Sequence, residues 1–150
     1  MRLLAKSEAE IHSPVDEVFA YVSNLENFGA WFPGVVAIQS GNDIPHGQVG
    51  KEYLETLSLP LRGPRKVRVT VREVRPGRLF VTEGSLSPLL PRMEISFSES
   101  GSRRTHLRWR MDSRSANPVV QGLLVPLARR LMQKRADIAM RRLKQRLESP

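Results

Sequence analysis

The sequence predicts an α+β fold: a curved seven-stranded antiparallel sheet, two short helices after strand 1, and a long C-terminal helix over a cavity. Three observations carry this. Runs of period-two alternation recur between Gly- and Pro-marked turns, two capped helical segments follow the first run, and the period changes to that of a helix after residue 117. Short connections between successive strands argue for an antiparallel meander. One helix laid across a bent sheet cannot fill it, so the architecture implies a cavity.

Residues 2–12 alternate loosely and end at Ser13. Ser13 is placed to cap a helix, Pro14 suits its first position, and Asp16 and Glu17 favour the positive end of its dipole. Val15, Val18, Phe19 and Val22 give that helix one apolar face. Asn24 is placed to cap the second helix, which Gly29 and Pro33-Gly34 end. Strands are expected over Val35 to Ser40, Lys51 to Leu59, Arg65 to Val74 and Arg78 to Glu83. Two more run through Met93-Ile95-Phe97 and Leu107-Trp109-Met111. From Asn117 to about Leu147 two apolar stripes drift around the helix, one through Val120, Leu124, Leu127, Leu131 and Ile138, the other from Ala128 to Leu147. That drift fits a helix crossing the sheet diagonally or one kinked at Pro126.

The chain has 150 residues, enough for one substantial core, and is read as a single domain, 1–150. It has no cysteine, which rules out disulfides, thiolate catalysis and cysteine-ligated metal and suits a cytoplasmic protein. No apolar run approaches the roughly 20 residues of a membrane span. Charge interrupts the N-terminus too early for a signal peptide. The net charge of +9 is uneven: residues 1–60 hold three Lys/Arg and eight Asp/Glu, residues 61–150 hold 21 and seven. Arg68, Arg72, Arg104, Arg108 and Arg110 would form a patch able to dock RNA, the ribosome or an acidic protein, and acidic lipid headgroups are a further partner for such charge. Aromatics do not interleave with these residues, so a solvated surface is favoured over nucleic acid. On that reading, reversing Arg108 or Arg110 to Glu changes stability by less than about 0.5 kcal/mol.

The order of elements resembles the START-like (SRPBCC, helix-grip) superfamily, and most closely its polyketide cyclase/dehydrase-like branch. The residues carrying the resemblance are Ile11 to Phe19, Asn24-Leu25-Glu26-Asn27-Phe28 with Trp31, Gly47-Gln48-Val49-Gly50 and Leu143 to Glu148. The resemblance implies a cavity between sheet and C-terminal helix. In some members it also implies cyclisation or dehydration of polyketides, but no catalytic set of that branch maps onto positions here.

Candidate chemistry is sparse. His12, His46 and His106 are not spaced with other ligands as a metal site requires, and each has a bland alternative in a junction, a turn or among arginines. No metal or cofactor is expected. Glu55 shares strand parity with Tyr53 and Leu57 and would be an acid or base if those face inward; the favoured alternative turns Leu54 and Thr56 inward and Glu55 to solvent. The expected ligand-binding wall is Met93, Ile95, Phe97, Leu107, Trp109 and Met111, with Tyr53. Trp31 and the helix residues Leu124, Leu127 and Leu131 would cover it. The leading expectation is therefore binding of a hydrophobic or amphipathic small molecule. A polyketide cyclase, aromatase or dehydratase using the same cavity, and a basic interaction module, are the alternatives.

Overall fold

A computed structural model describes residues 1–149; residue 150, the last of the expected domain, lies outside the described residues. The chain runs β1 (Arg2–Ile11), α1 (Val15–Val22), a 3₁₀ turn (Leu25–Asn27), α2 (Phe28–Trp31), β2 (Val35–Ser40) and β3 (Glu52–Leu59). It continues through β4 (Gly63–Arg75), β5 (Leu79–Gly84), β6 (Pro91–Gly101) and β7 (Arg104–Ser113) to a π-helical turn (Val120–Leu124) and α3 (Val125–Glu148). The seven strands form one antiparallel sheet in the order β1-β7-β6-β5-β4-β3-β2. Register shifts at Leu3/Ala5, Val35/Ala37, Val71/Glu73 and Glu99/Gly101 are bulges, which bend a strand and sharpen its twist, and they curve the sheet.

β1 is an edge strand, and an open row of N–H and C=O groups invites foreign pairing. Here α3 lies along it. The Gln133 side chain accepts from Lys6 N–H at 3.2 Å and donates to Lys6 C=O at 2.7 Å. Arg129 donates to Leu3 C=O at 2.8 Å, Lys144 to Glu10 C=O at 2.6 Å, and Glu148 accepts from His12 N–H at 2.8 Å. The helix thus completes the sheet edge as well as its core. Gln133→Ala is expected to lower stability by about 1 kcal/mol, readable by urea denaturation, because two backbone groups return to water.

Helix ends follow the sequence in part. Asn24 caps the 3₁₀ turn, its Oδ1 accepting from Glu26 N–H at 3.0 Å. Ser13 does not cap α1: Pro14 occupies the cap position, its carbonyl accepts from Glu17 and Val18, and the buried Ser13 hydroxyl donates to the Glu17 carboxylate at 3.1 Å. Gly29 lies inside α2 rather than at its end. The expected irregularity at Pro126 is present as the π turn, where Val125 N–H reaches back to Val120 C=O one residue further than in an α-helix. Proline has no N–H to donate to the preceding turn, and the wider turn accommodates the loss.

The core joins α1, the 3₁₀ turn and α2 to the concave sheet face and to Ala136, Ala139, Met140 and Leu143 of α3. Of the two stripes read on the C-terminal helix, the one from Ala128 to Leu147 is therefore the main buried one. Gly34 lies under a side chain of α3: its φ is +88°, and the Arg135 guanidinium occupies the space a Cβ would need. Any side chain there would be both strained and in collision.

Candidate functional site

Behind the 3₁₀ turn and α2 the sheet leaves a cavity of about 40 Å³, room for roughly two or three water molecules. Leu25 and Phe28 form its roof. Its floor and walls are Glu55 and Leu57 of β3, Val67 and Val69 of β4, Thr82 and Gly84 of β5, Met93 of β6 and Met111 of β7. The half-buried Leu57, Leu86, Pro91 and Met111 mark where it reaches the surface.

Glu55 points into this cavity, contrary to the arrangement the sequence favours. Strand pairing decides it. Tyr53 lies opposite Val69 and Glu55 opposite Val67, and directly paired residues share a face. The buried face of β4 carries Val67, Val69 and Val71, so β3 turns Tyr53, Glu55 and Leu57 inward and leaves Leu54 exposed. Glu55 is only 7 % exposed. No hydrogen bond or ion pair among the described residues involves its carboxyl, and desolvation alone pushes its pKa up to about 7. It is the single ionisable side chain in an otherwise apolar lining that has only the Thr82 hydroxyl as a further polar side chain.

The other expected wall residues divide. Met93 and Met111 line the cavity. Ile95, Phe97, Leu107 and Trp109 lie on the same concave face but are packed into the core, not the cavity wall. Trp109 is 1 % exposed, with the Phe32 ring tilted by 30° against it at 5.3 Å between ring centroids. Trp31 is buried against Phe28 at 4.9 Å. The indole N–H groups of Trp31 and Trp109 have no hydrogen-bond partner among the described residues. Tyr53 is buried beside the cavity without lining it.

The helix residues are corrected. Leu127 is 74 % exposed, Leu124 packs with Leu4 and Val125 in a small satellite cluster, and Leu131 is half-buried outside the cavity lining. α3 runs along the β1 edge, so the N-terminal part of the first stripe faces away from the sheet centre. Leu25 and Phe28 take the covering role. In the sequence their motif reads as a fold marker, and its apolar spacing three residues apart is the signal that places both on one side.

No histidine enters the cavity. His12 lies exposed at the start of α1, and His106 sits on the convex face between Glu8 at 3.3 Å and Glu10 at 3.1 Å. His46 joins a chain: its Nδ1 lies 2.6 Å from the Tyr53 hydroxyl and its Nε2 3.1 Å from Glu26. Burial pushes the Tyr53 pKa up to about 12, so the phenol keeps its proton. Buried Lys51 donates to Ser40 and to Asn42 C=O beneath the same loop and lies 5.5 Å from the Tyr53 ring centroid. These contacts tie the β2–β3 loop to the sheet.

The convex arginines are interleaved with acids. Arg68 pairs with Glu52, Arg72 with Glu83 and Arg108 loosely with Glu8 at 3.8 Å. Arg110 differs: it grips both oxygens of Asp112, at 2.9 and 3.0 Å, and Asp112 is 2 % exposed. The equal and negligible effects expected for the two reversals therefore split. Arg108→Glu stays below about 0.5 kcal/mol, whereas Arg110→Glu leaves a buried carboxylate beside a like charge and is expected to cost about 2 kcal/mol. Chemical denaturation of the two single variants distinguishes these outcomes.

Solved structures share this architecture. A START superfamily protein from Mycobacterium smegmatis aligns with a TM-score of 0.74 at 13 % identity, covering 97 % of each chain. A Thermus thermophilus protein gives 0.70 at 14 % identity over 95 % of both chains. The di-domain ARO/CYC StfQ from the steffimycin biosynthetic pathway gives 0.69 at 14 % identity over 97 % of this chain, which spans about half of that protein (51 %). At these identities the likeness shows the fold alone. No curated protein matches the sequence. Residues 3–148 match the family described as "Polyketide cyclase / dehydrase and lipid transport"; with nearly its whole length matched, the chain belongs to that family.

Proposed function

We propose that the cavity binds an apolar small molecule carrying one polar group, and that this group hydrogen-bonds to the protonated carboxyl of Glu55. The observation that carries the reading is a lone ionisable side chain in an apolar cavity with no partner of its own among the described residues. A buried polar group without a partner is costly, and a ligand atom would supply one. We take residues 1–150 as one domain acting in the cytoplasm without cofactor, a setting that a cysteine-free chain suits. Ligand pockets are several hundred Å³, so binding requires the half-buried Leu86 and the flexible Met93 and Met111 to move aside.

Glu55 also favours a second reading, acid–base assistance to a cyclisation or dehydration. A carboxyl with a pKa near 7 carries or releases a proton at neutral pH. The fold shared with an ARO/CYC protein supports this reading.

Prodan, a fluorescent apolar ketone, tests the site. Its carbonyl only accepts, so it needs protonated Glu55, and its affinity should fall about tenfold between about pH 6 and about pH 8. Glu55→Gln, whose amide donates at both pH values, should remove that dependence, and Leu86→Trp should block entry. A wild-type affinity independent of pH, or unaffected by Leu86→Trp, would place the ketone elsewhere.

A further inference from the structure

The β3–β4 turn, the loop after β5 and the start of the C-terminal helix meet at one end of the molecule. Arg65 donates to Ser87 C=O at 3.1 Å, Ser113 to Leu89 C=O at 2.5 Å, and Arg135 of α3 to Ser58 C=O at 3.3 Å. Leu89 in turn packs against Leu124 and Ala128. The cavity reaches the surface at this same end, through Leu57, Leu86 and Pro91.

Two properties set this rim apart. Leu61, Val119, Leu123 and Leu127, half of the large apolar residues that the fold leaves exposed, project from it. Leu61 is fully exposed at the tip of the β3–β4 turn with φ of 64°, a left-handed conformation that disfavours leucine and gains no packing in return. Val119, Leu123 and Leu127 recur every four residues and stay on one side of the helix. Leu123 is 66 % exposed.

The second property is charge. The contributing segments, 56–72, 84–93 and 113–136, contain eleven of the Lys/Arg residues and none of the 15 Asp/Glu, although four of the eleven, Arg68, Arg72, Arg92 and Arg114, pair with Glu52, Glu83 or Glu94 on adjoining strand positions. Arg62, Lys66, Arg129 and Arg130 are exposed, and no carboxylate lies within ion-pair distance of them among the described residues. The convex face has equally basic strands, but its arginines are matched by Glu8, Glu52 and Glu83.

We propose that this rim docks on an anionic lipid bilayer, with the leucines entering the headgroup region and the arginines meeting lipid phosphates. Projecting apolar side chains ringed by unpaired cations fit a charged interface that is apolar a few Å below. RNA would satisfy the cations but leave the leucines uncovered. No helix among the described residues is long and apolar enough to cross a membrane, so the contact is peripheral. It places the cavity mouth against a phase in which apolar molecules dissolve.

The test is co-sedimentation with phosphatidylcholine vesicles, with and without phosphatidylglycerol. Binding should need phosphatidylglycerol and fall with salt. Arg129→Glu/Arg130→Glu should weaken it by at least about tenfold, since each basic residue near an anionic surface contributes about fivefold. Leu61→Asn/Leu123→Gln/Leu127→Gln should weaken it comparably without loss of stability, because those side chains are exposed and belong to neither apolar cluster and asparagine tolerates the left-handed turn. Arg104→Glu/Arg108→Glu, away from the rim, should bind as wild type, and so should Glu55→Gln, which separates docking from the cavity reading. Equal binding to neutral vesicles, no binding, or full binding by the leucine variant would overturn the proposal. So would retention on RNA with no vesicle association.

Discussion

Trp109→Ala is expected to destabilise the protein by about 3–5 kcal/mol, and at this chain length to lower the melting temperature by on the order of 10 °C. The indole is 1 % exposed and packs at a tilt against Phe32, which in turn lies against Phe28 and Trp31. Its removal leaves a void walled by aromatic rings and strand backbone, which cannot collapse far. Trp109→Phe should cost clearly less, because it keeps most of the aromatic packing and removes an N–H that has no acceptor among the described residues. Prodan binding by Trp109→Ala, measured where it is still folded, should survive, since Trp109 is outside the cavity lining. A loss below about 1.5 kcal/mol would mean that the ring faces solvent and that the core is placed wrongly.

The second large effect is electrostatic. Burial pushes the Glu55 pKa from 4.5 to about 7, so the folded state holds the proton more tightly than the unfolded chain. The stability associated with the neutral carboxyl is complete below about pH 4.5. It is lost as pH rises through 7, and above that the penalty levels off at about 3 kcal/mol. Glu55→Gln should therefore match wild type near pH 5 and exceed it by about 1–3 kcal/mol near pH 8. The readout is the difference between the two proteins in urea unfolding at each pH, which cancels the titration of every other group. A constant difference across that range would show a solvated carboxylate.

What the sequence made legible was local. The alternation Val67-Val69-Val71, the cap at Asn24 and the break at Pro126 each act through neighbours a few residues away, and each is where the spacing predicts. The orientation of Glu55 was not legible. β3 reads Glu-Tyr-Leu-Glu-Thr-Leu-Ser-Leu, with apolar residues on both parities, and only the register against β4 selects one. The packing of α3 was hidden for a related reason. Its two stripes compete, and hydrogen bonds from Gln133, Arg129 and Lys144 to the β1 edge fix which one turns inward. The exposed Leu127 follows from that choice. Arg110 and Asp112 share parity two residues apart, a signal present in the sequence; the burial of Asp112, which gives the pair its weight, is tertiary.

The most direct test follows the Glu55 side-chain carboxyl carbon by NMR through a pH titration, in the free protein and with Prodan bound. The expected midpoint is near 7 in the free protein, moving higher with the ketone bound, because a hydrogen bond donated by the neutral form stabilises that form. A midpoint in the ordinary glutamate range, near 4.5, and indifferent to the ketone, would contradict a buried, protonated Glu55 as the polar anchor of the site.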